Sequence, residues 1–371
     1  VIPRPPILAG AFLGLAAAAF VVGTHRVSSE PREALLPDCG GPIRSVVMQY
    51  TAGSTFVQPI YRDFLSQQSP ALHVYLACPE KADLDELTAA LGPVPPRLSP
   101  IFTHHVMTPW SRDRWVALVP PTAKAPLTLL APQGERDAEV WPERAGDASL
   151  ASDLAAAMPA LLTTRRSPLF FDGGDFLADG GFVFATRALA DRNLQHTVSA
   201  RDQLLRALHK EFAQQPILLD NSPDHHAGMF MMAAGNHRML VADPSLAKPL
   251  FDPAGPEAAA LEGGPDFSPQ TQARFDSVAA TVQSLGYTVT RIPVVVPVVG
   301  KNYLTFVNTL IDSTPGGPIV YMPAFPGQPR LTATATATWS SLGYAVRPID
   351  CSTAWTKGGT LHCLINVLER S

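Results

Sequence analysis

Short apolar runs alternate with amphipathic stretches along most of the chain. Val46-Val47-Met48-Gln49-Tyr50 and His73-Val74-Tyr75-Leu76-Ala77-Cys78 read as buried strands, being brief, apolar and bounded by turn formers. Between them, residues 57–67 have helical spacing. Residues 83–91 form a short amphipathic helix, stopped by Gly92 and the prolines beyond it. The rhythm recurs. A strand at 182–185 precedes a helical stretch at 199–214, a strand at 239–243 follows a turn at Gly235-Asn236, and a strand at 319–322 precedes a helix at 331–341.

One echo is sharper than the rest. Ser284-Leu285-Gly286-Tyr287-Thr288-Val289 and Ser341-Leu342-Gly343-Tyr344-Ala345-Val346 lie 57 residues apart, each between a helical stretch and a strand. Their glycines suit helix ends, where a left-handed residue closes the last turn. A period of this size is what a ring of α/β units would show. No linker interrupts residues 45–371, which read as one domain, whereas residues 28–44 read as a linker. Ahead of it, Ile7 to Gly23 is an uncharged run behind Arg4. Residues 1–27 therefore read as a signal peptide or an uncleaved membrane anchor, implying export and membrane association through residues 7–23.

Composition narrows the function. The 371 residues carry 28 Lys+Arg against 32 Asp+Glu, a net charge of −4, and no basic run, which argues against nucleic-acid binding. The 37 prolines favour short elements and rigid loops. The four cysteines, Cys39, Cys78, Cys351 and Cys363, make no disulfide framework in a chain this long and show no zinc spacing, although one disulfide outside the site stays open.

Four places could carry chemistry. Trp110-Ser111-Arg112-Asp113-Arg114-Trp115 is either an ion-pair knot or an anion, Asp113, facing a cationic ligand beside an aromatic wall. Asp172-Gly173-Gly174-Asp175 is either a tight hairpin turn or a carboxylate held where glycines permit close approach. In Asp224-His225-His226-Ala227-Gly228 the adjacent histidines would point to opposite faces of a strand, so a metal site is disfavoured and one histidine remains for acid–base work. Lys357-Gly358-Gly359-Thr360-Leu361-His362-Cys363 places a thiol just after a glycine pair, at the mouth of an apolar run. A thiol needs a cation, a histidine or a helix N-terminus to become a nucleophile.

In this order, RD, acid-Gly-Gly-Asp, H-x-x-M-F and GGxxHC, the chain resembles the guanidino-group-modifying enzymes of the pentein fold, most of all the agmatine deiminase and bacterial peptidylarginine deiminase group. The similarity runs from about Val46 to the end. It implies a five-bladed α/β propeller of ββαβ-like units with a central site. It further implies Cys363 as nucleophile, His226 as general acid/base, Asp172 as the acid that holds His226 and the substrate, and Asp113 as a guanidinium ligand. Trp110 and Gly359 would line the site. The implied reaction deiminates a small or peptidyl guanidine to a ureido product and ammonia, without metal or organic cofactor. A guanidinium is planar and always charged, so its binding calls for paired carboxylates.

The pattern departs from the family at Gly228, where H-x-D would place a second carboxylate. Losing a charge-assisted contact costs about 1.5–3 kcal/mol. On an extended strand Asp224 shares a side with His226 and could substitute. Asp172 also stands where Glu is usual. Two alternatives on the same scaffold stay open: a catalytically impaired pentein acting as a binding protein, and an amidinotransferase. A cysteine protease is disfavoured, because no papain-type signature surrounds Cys363.

Overall fold

Five small mixed sheets make up the protein, each built by the same chain path. The computed structural model describes residues 32–122, 124–134 and 142–371. In each unit a first strand pairs antiparallel with a second, and the second pairs in parallel with a third reached through helical segments. Val116–Val119, Leu127–Ala131 and Leu162–Arg166 follow this path, as do Phe176–Ala178, Phe182–Thr186 and Gln215–Leu219. So do Met231–Ala233, Arg238–Asp243 and Thr288–Val295, and then Leu310–Thr314, Gly317–Ala324 and Ala345–Asp350. The last unit closes the circle, because the C-terminal strand Ile365–Arg370 pairs antiparallel with Ile43–Gln49, which pairs in parallel with His73–Cys78. The repeat is therefore ββαβ, as the resemblance implies, and the fold is a five-bladed α/β propeller.

Sequence patterning explains the elements. Central strands such as Arg238–Asp243 are buried nearly throughout, being paired on both edges and packed against a helix, here Pro269–Ser284. The expected helix at 57–67 is Gln58–Ser66, burying Ile60, Tyr61, Phe64 and Leu65, and the expected one at 83–91 is Lys81–Leu91. The repeated SLGY segments end the helices Pro269–Ser284 and Pro329–Ser341 identically. Gly286 and Gly343 take φ of +91° and +90°, and the next residue's N–H returns to the last turn, Tyr287 to Val282 and Tyr344 to Trp339.

Residues 34–44, within the span read as a linker, belong to the fold. Ala34–Leu35 pairs with the first strand of the unit beginning at Val116, and Asp38 is buried against Arg112 and His362. A two-residue strand is too short for periodicity to reveal. The run at 1–27 lies outside the described residues. Among the described residues no helix is long and apolar enough to cross a membrane. The cysteines are all free and buried.

Candidate functional site

Each of the five units delivers one loop, entering its first strand, to a common place. Asp113 precedes Val116, Asp172 precedes Phe176, His226 precedes Met231, Asn308 precedes Leu310 and Cys363 precedes Ile365, always two to five positions ahead. The loops are tied to one another around the full circle. Gly173 N–H donates to the Asp113 carbonyl (2.8 Å), and Asp172 faces His226 (3.5 Å). Thr305 Oγ1 donates to the Met229 carbonyl (2.9 Å), His362 N–H to Asn308 Oδ1 (3.0 Å), and Arg112 N–H to the Cys363 carbonyl (3.2 Å).

Cys363 sits in the short helical turn Leu361–Leu364 and is 4% exposed. Its Sγ lies 3.6 Å from Asn308 Oδ1, which also accepts from Thr360 Oγ1 (2.7 Å). Because a backbone N–H can only donate, the bond from His362 N fixes the Asn308 oxygen on this side. The opposite atom, Nδ2, is buried with no partner among the described residues and faces Gly228. The ring of His362 is turned away, its Nε2 on Asp38 Oδ1 at 3.0 Å.

His226 carries the electrostatics of the site. Burial alone would lower its pKa, but Asp172, the Cys363 thiol and the charge of Asp113 raise it well above the usual value. Burial would conversely raise Asp172, yet Arg192, His226 and Arg114 hold it well below the ordinary carboxylate range. Its Oδ2 accepts from Arg192 at 2.6 Å, and its Oδ1 from Arg114 at 2.7 Å and from Arg144 at 3.5 Å. The DGGD segment is a helical turn, Gly173–Asp175, rather than a hairpin turn, with Asp172 and Asp175 capping it reciprocally. Its second glycine has a steric purpose: a Cβ on Gly174 would lie 2.3 Å from His226 Nδ1.

Asp113 accepts from Arg144 at 2.7 Å through Oδ2, while its buried Oδ1 has no partner among the described residues. Trp110 packs on Phe56 and covers Gly359, where a Cβ would stand 2.6 Å from the indole and 3.2 Å from Cys363 Cβ. A cavity of about 710 Å³, lined by Thr51, Phe56, Trp110, Arg144 and Lys357, opens against this wall. Trp110 and Arg144 thus touch the cavity on one side and Gly359 and Asp113 on the other.

Asp224 does not join the group. Residues 222–226 bend instead of extending, so alternation of faces does not apply there, and the Asp224 side chain is 62% exposed beside Lys301 at 3.4 Å. His225 is buried and structural: it accepts from His226 N–H (2.8 Å), meets the Lys301 carbonyl through Nε2 (2.9 Å), and burial holds its pKa well down. Among the described residues no group of three or more His, Cys, Asp or Glu is arranged to hold a metal ion. Sequence reasoning missed Asn308 and the arginines at 144 and 192. Asn308 could have been found as the fourth unit's counterpart, in the loop just before the first strand; the two arginines carry no such signal.

Five ββαβ units closed by the C-terminal strand, with five loops meeting at one place, make up the pentein fold. The chain is similar over 91% of its length to two solved structures of C. jejuni agmatine deiminase, covering 96% of each. One gives a TM-score of 0.64 at 15% identity; the other, a Cys→Ser variant with substrate bound, gives 0.66 at 13%. It is similar over the same share of both chains to agmatine deiminase of Enterococcus faecalis, with a TM-score of 0.64 at 10% identity. At such identities these likenesses establish the fold. The sequence matches no family model and no curated protein.

Proposed function

We propose that the protein is a cysteine-dependent hydrolase of guanidines, releasing ammonia and a ureido product. The observation that carries the proposal is that the loops bring Cys363, His226, Asp172 and Asp113 to one place, with His226 facing Asp172 at 3.5 Å and its charged form favoured by these neighbours. A histidine charged near neutral pH holds a proton ready for a leaving amine. In this mechanism the Cys363 thiolate attacks the guanidinium carbon, and His226 donates its proton as ammonia departs, leaving a thiouronium. Neutral His226 then takes a proton from water, which attacks the same carbon. Collapse expels the thiolate and leaves the ureido group. Asp113 binds the substrate guanidinium, Asp172 positions His226, and Asn308 orients the thiol.

The test is ammonia release by the full chain from agmatine, free arginine, methylated arginines and an arginine peptide. Turnover that disappears in Cys363→Ala is the expected result; release that survives this change would refute the mechanism.

One observation favours an impaired binding protein as a second reading. The position of the missing carboxylate is crowded, since a Cβ on Gly228 would meet His362 Nδ1 at 3.0 Å and Asn308 Nδ2 at 3.2 Å. A silent wild type whose activity appears on Gly228→Asp would decide for that reading. Product that retains the amidino group in the presence of an added amine would indicate transfer instead.

A further inference from the structure

Arg144 differs from the other cations around the two site carboxylates. Arg114 is 5% exposed and points at Asp172 from the Asp113 loop itself. Arg192 bridges Asp172 and Asp175. Arg144, by contrast, comes from the turn Pro142–Ser149, lines the open cavity, and reaches past Trp110 to Asp113 at 2.7 Å. Its guanidinium is chemically the same group as the proposed substrate's. It lies on the carboxylate that the proposed mechanism needs for binding.

Resting on that mechanism's assignment of Asp113, we propose that Arg144 is a specificity-determining residue, an internal guanidinium that a substrate must displace from Asp113 before it can bind. Arg144 already holds Asp113 Oδ2, and a substrate guanidinium that forks onto the carboxylate needs both oxygens, so the two compete for Oδ2 and their like charges repel. The remaining oxygen, Asp113 Oδ1, is buried without a partner among the described residues, so part of the grip is prepared and unused. Arg144 also has somewhere to go: Asp147 Oδ2 lies 4.0 Å from its Nε. Substrate binding is then an exchange of one guanidinium for another, and the affinity of the bare site is largely cancelled. Tight binding falls to guanidines whose remaining atoms make further contacts in the cavity beside Phe56 and Trp110. A guanidinium without a tail gains little.

The experiment compares the full-length wild type with Arg144→Gln and Arg144→Lys, using methylguanidine as a tail-less probe in titration calorimetry. The glutamine variant should bind methylguanidine about tenfold to a hundredfold more tightly, the equivalent of one charge-assisted bond no longer broken. Its KM for any turned-over guanidine should fall similarly. Lysine, still charged but unable to fork, should fall between the two. Adding Asp113→Asn should erase the gain. Equal or weaker binding by Arg144→Gln, or a gain that survives Asp113→Asn, overturns the proposal; should the glutamine variant fail to fold, Arg144→Lys decides by the same criterion. The binding arm is independent of catalysis. Tighter binding without ammonia release from any variant would sink the hydrolase and keep the competition, and turnover with unchanged binding would do the reverse.

Discussion

His226 shows how much a single side chain here depends on residues distant in sequence. Asp172, Cys363 and Asp113 together raise its pKa against the opposing effect of burial. Asp172→Asn removes a charge and an acceptor, so the His226 pKa should fall, which NMR titration of the imidazole C–H can follow; an unmoved pKa would remove Asp172 from the pair. Gly174→Ala tests the packing of the same ring. Its Cβ would fall 2.3 Å from Nδ1. The ring must then leave, costing about 1–3 kcal/mol by overpacking and, on the proposed mechanism, about a hundredfold or more in turnover. Urea unfolding and an ammonia assay check both effects. Of these residues, Cys363, His226, Asp172 and Asp113 were legible because each lies in a short motif. Arg144 and Arg192 were not, because what matters about them is where the fold carries a long side chain.

At the scale of elements, many of the longer strands and helices were legible in the apolar pattern, but the helices Leu150–Ala157 and Arg187–Asn193 and the strand Arg97–Phe102 were not read. The strand His73–Cys78 and the helix Pro329–Ser341 stand where the apolar pattern put them. Two further misses have local physical causes. Ala34–Leu35 is too short to show a period, and residues 222–226 bend where a strand was assumed, so Asp224 turned outward. The repeated helix ends supply a test free of side-chain contacts. At Gly343 φ is +90° and a Cβ would touch nothing within 4 Å. Gly343→Ala should therefore cost only the left-handed backbone penalty, about 1–2 kcal/mol, and Gly286→Ala should cost the same. Unequal losses in urea unfolding would mean that the two helix ends are not equivalent.

The whole molecule places five loops around one point and lets its last strand close the circle, so the site forms only when residues 113 to 363 are all in position. This coupling predicts how stability depends on pH. The folded-state pKa of His226 is raised, so its contribution is complete below about pH 6.5 and is lost as pH rises through the folded value. Asp172 is depressed in the folded state, so its contribution is complete above about pH 3.9 and is lost as pH falls through the folded value. Both act fully only between those limits. Asp172→Asn should flatten the stability profile on both flanks, and parallel curves for wild type and variant would contradict the pairing. The ring of units was foreshadowed by SLGY and by the motif order. The fivefold equivalence of the loop positions emerges only when the strands are seen paired.

The most direct measurement is the intact mass of the protein quenched during turnover of a guanidine substrate, with Cys363→Ala alongside. The mechanism predicts an adduct equal to substrate minus ammonia, carried by the peptide containing Cys363 and absent from Cys363→Ala. Turnover without any adduct in either protein, or an adduct on Cys39, Cys78 or Cys351 instead, would contradict it.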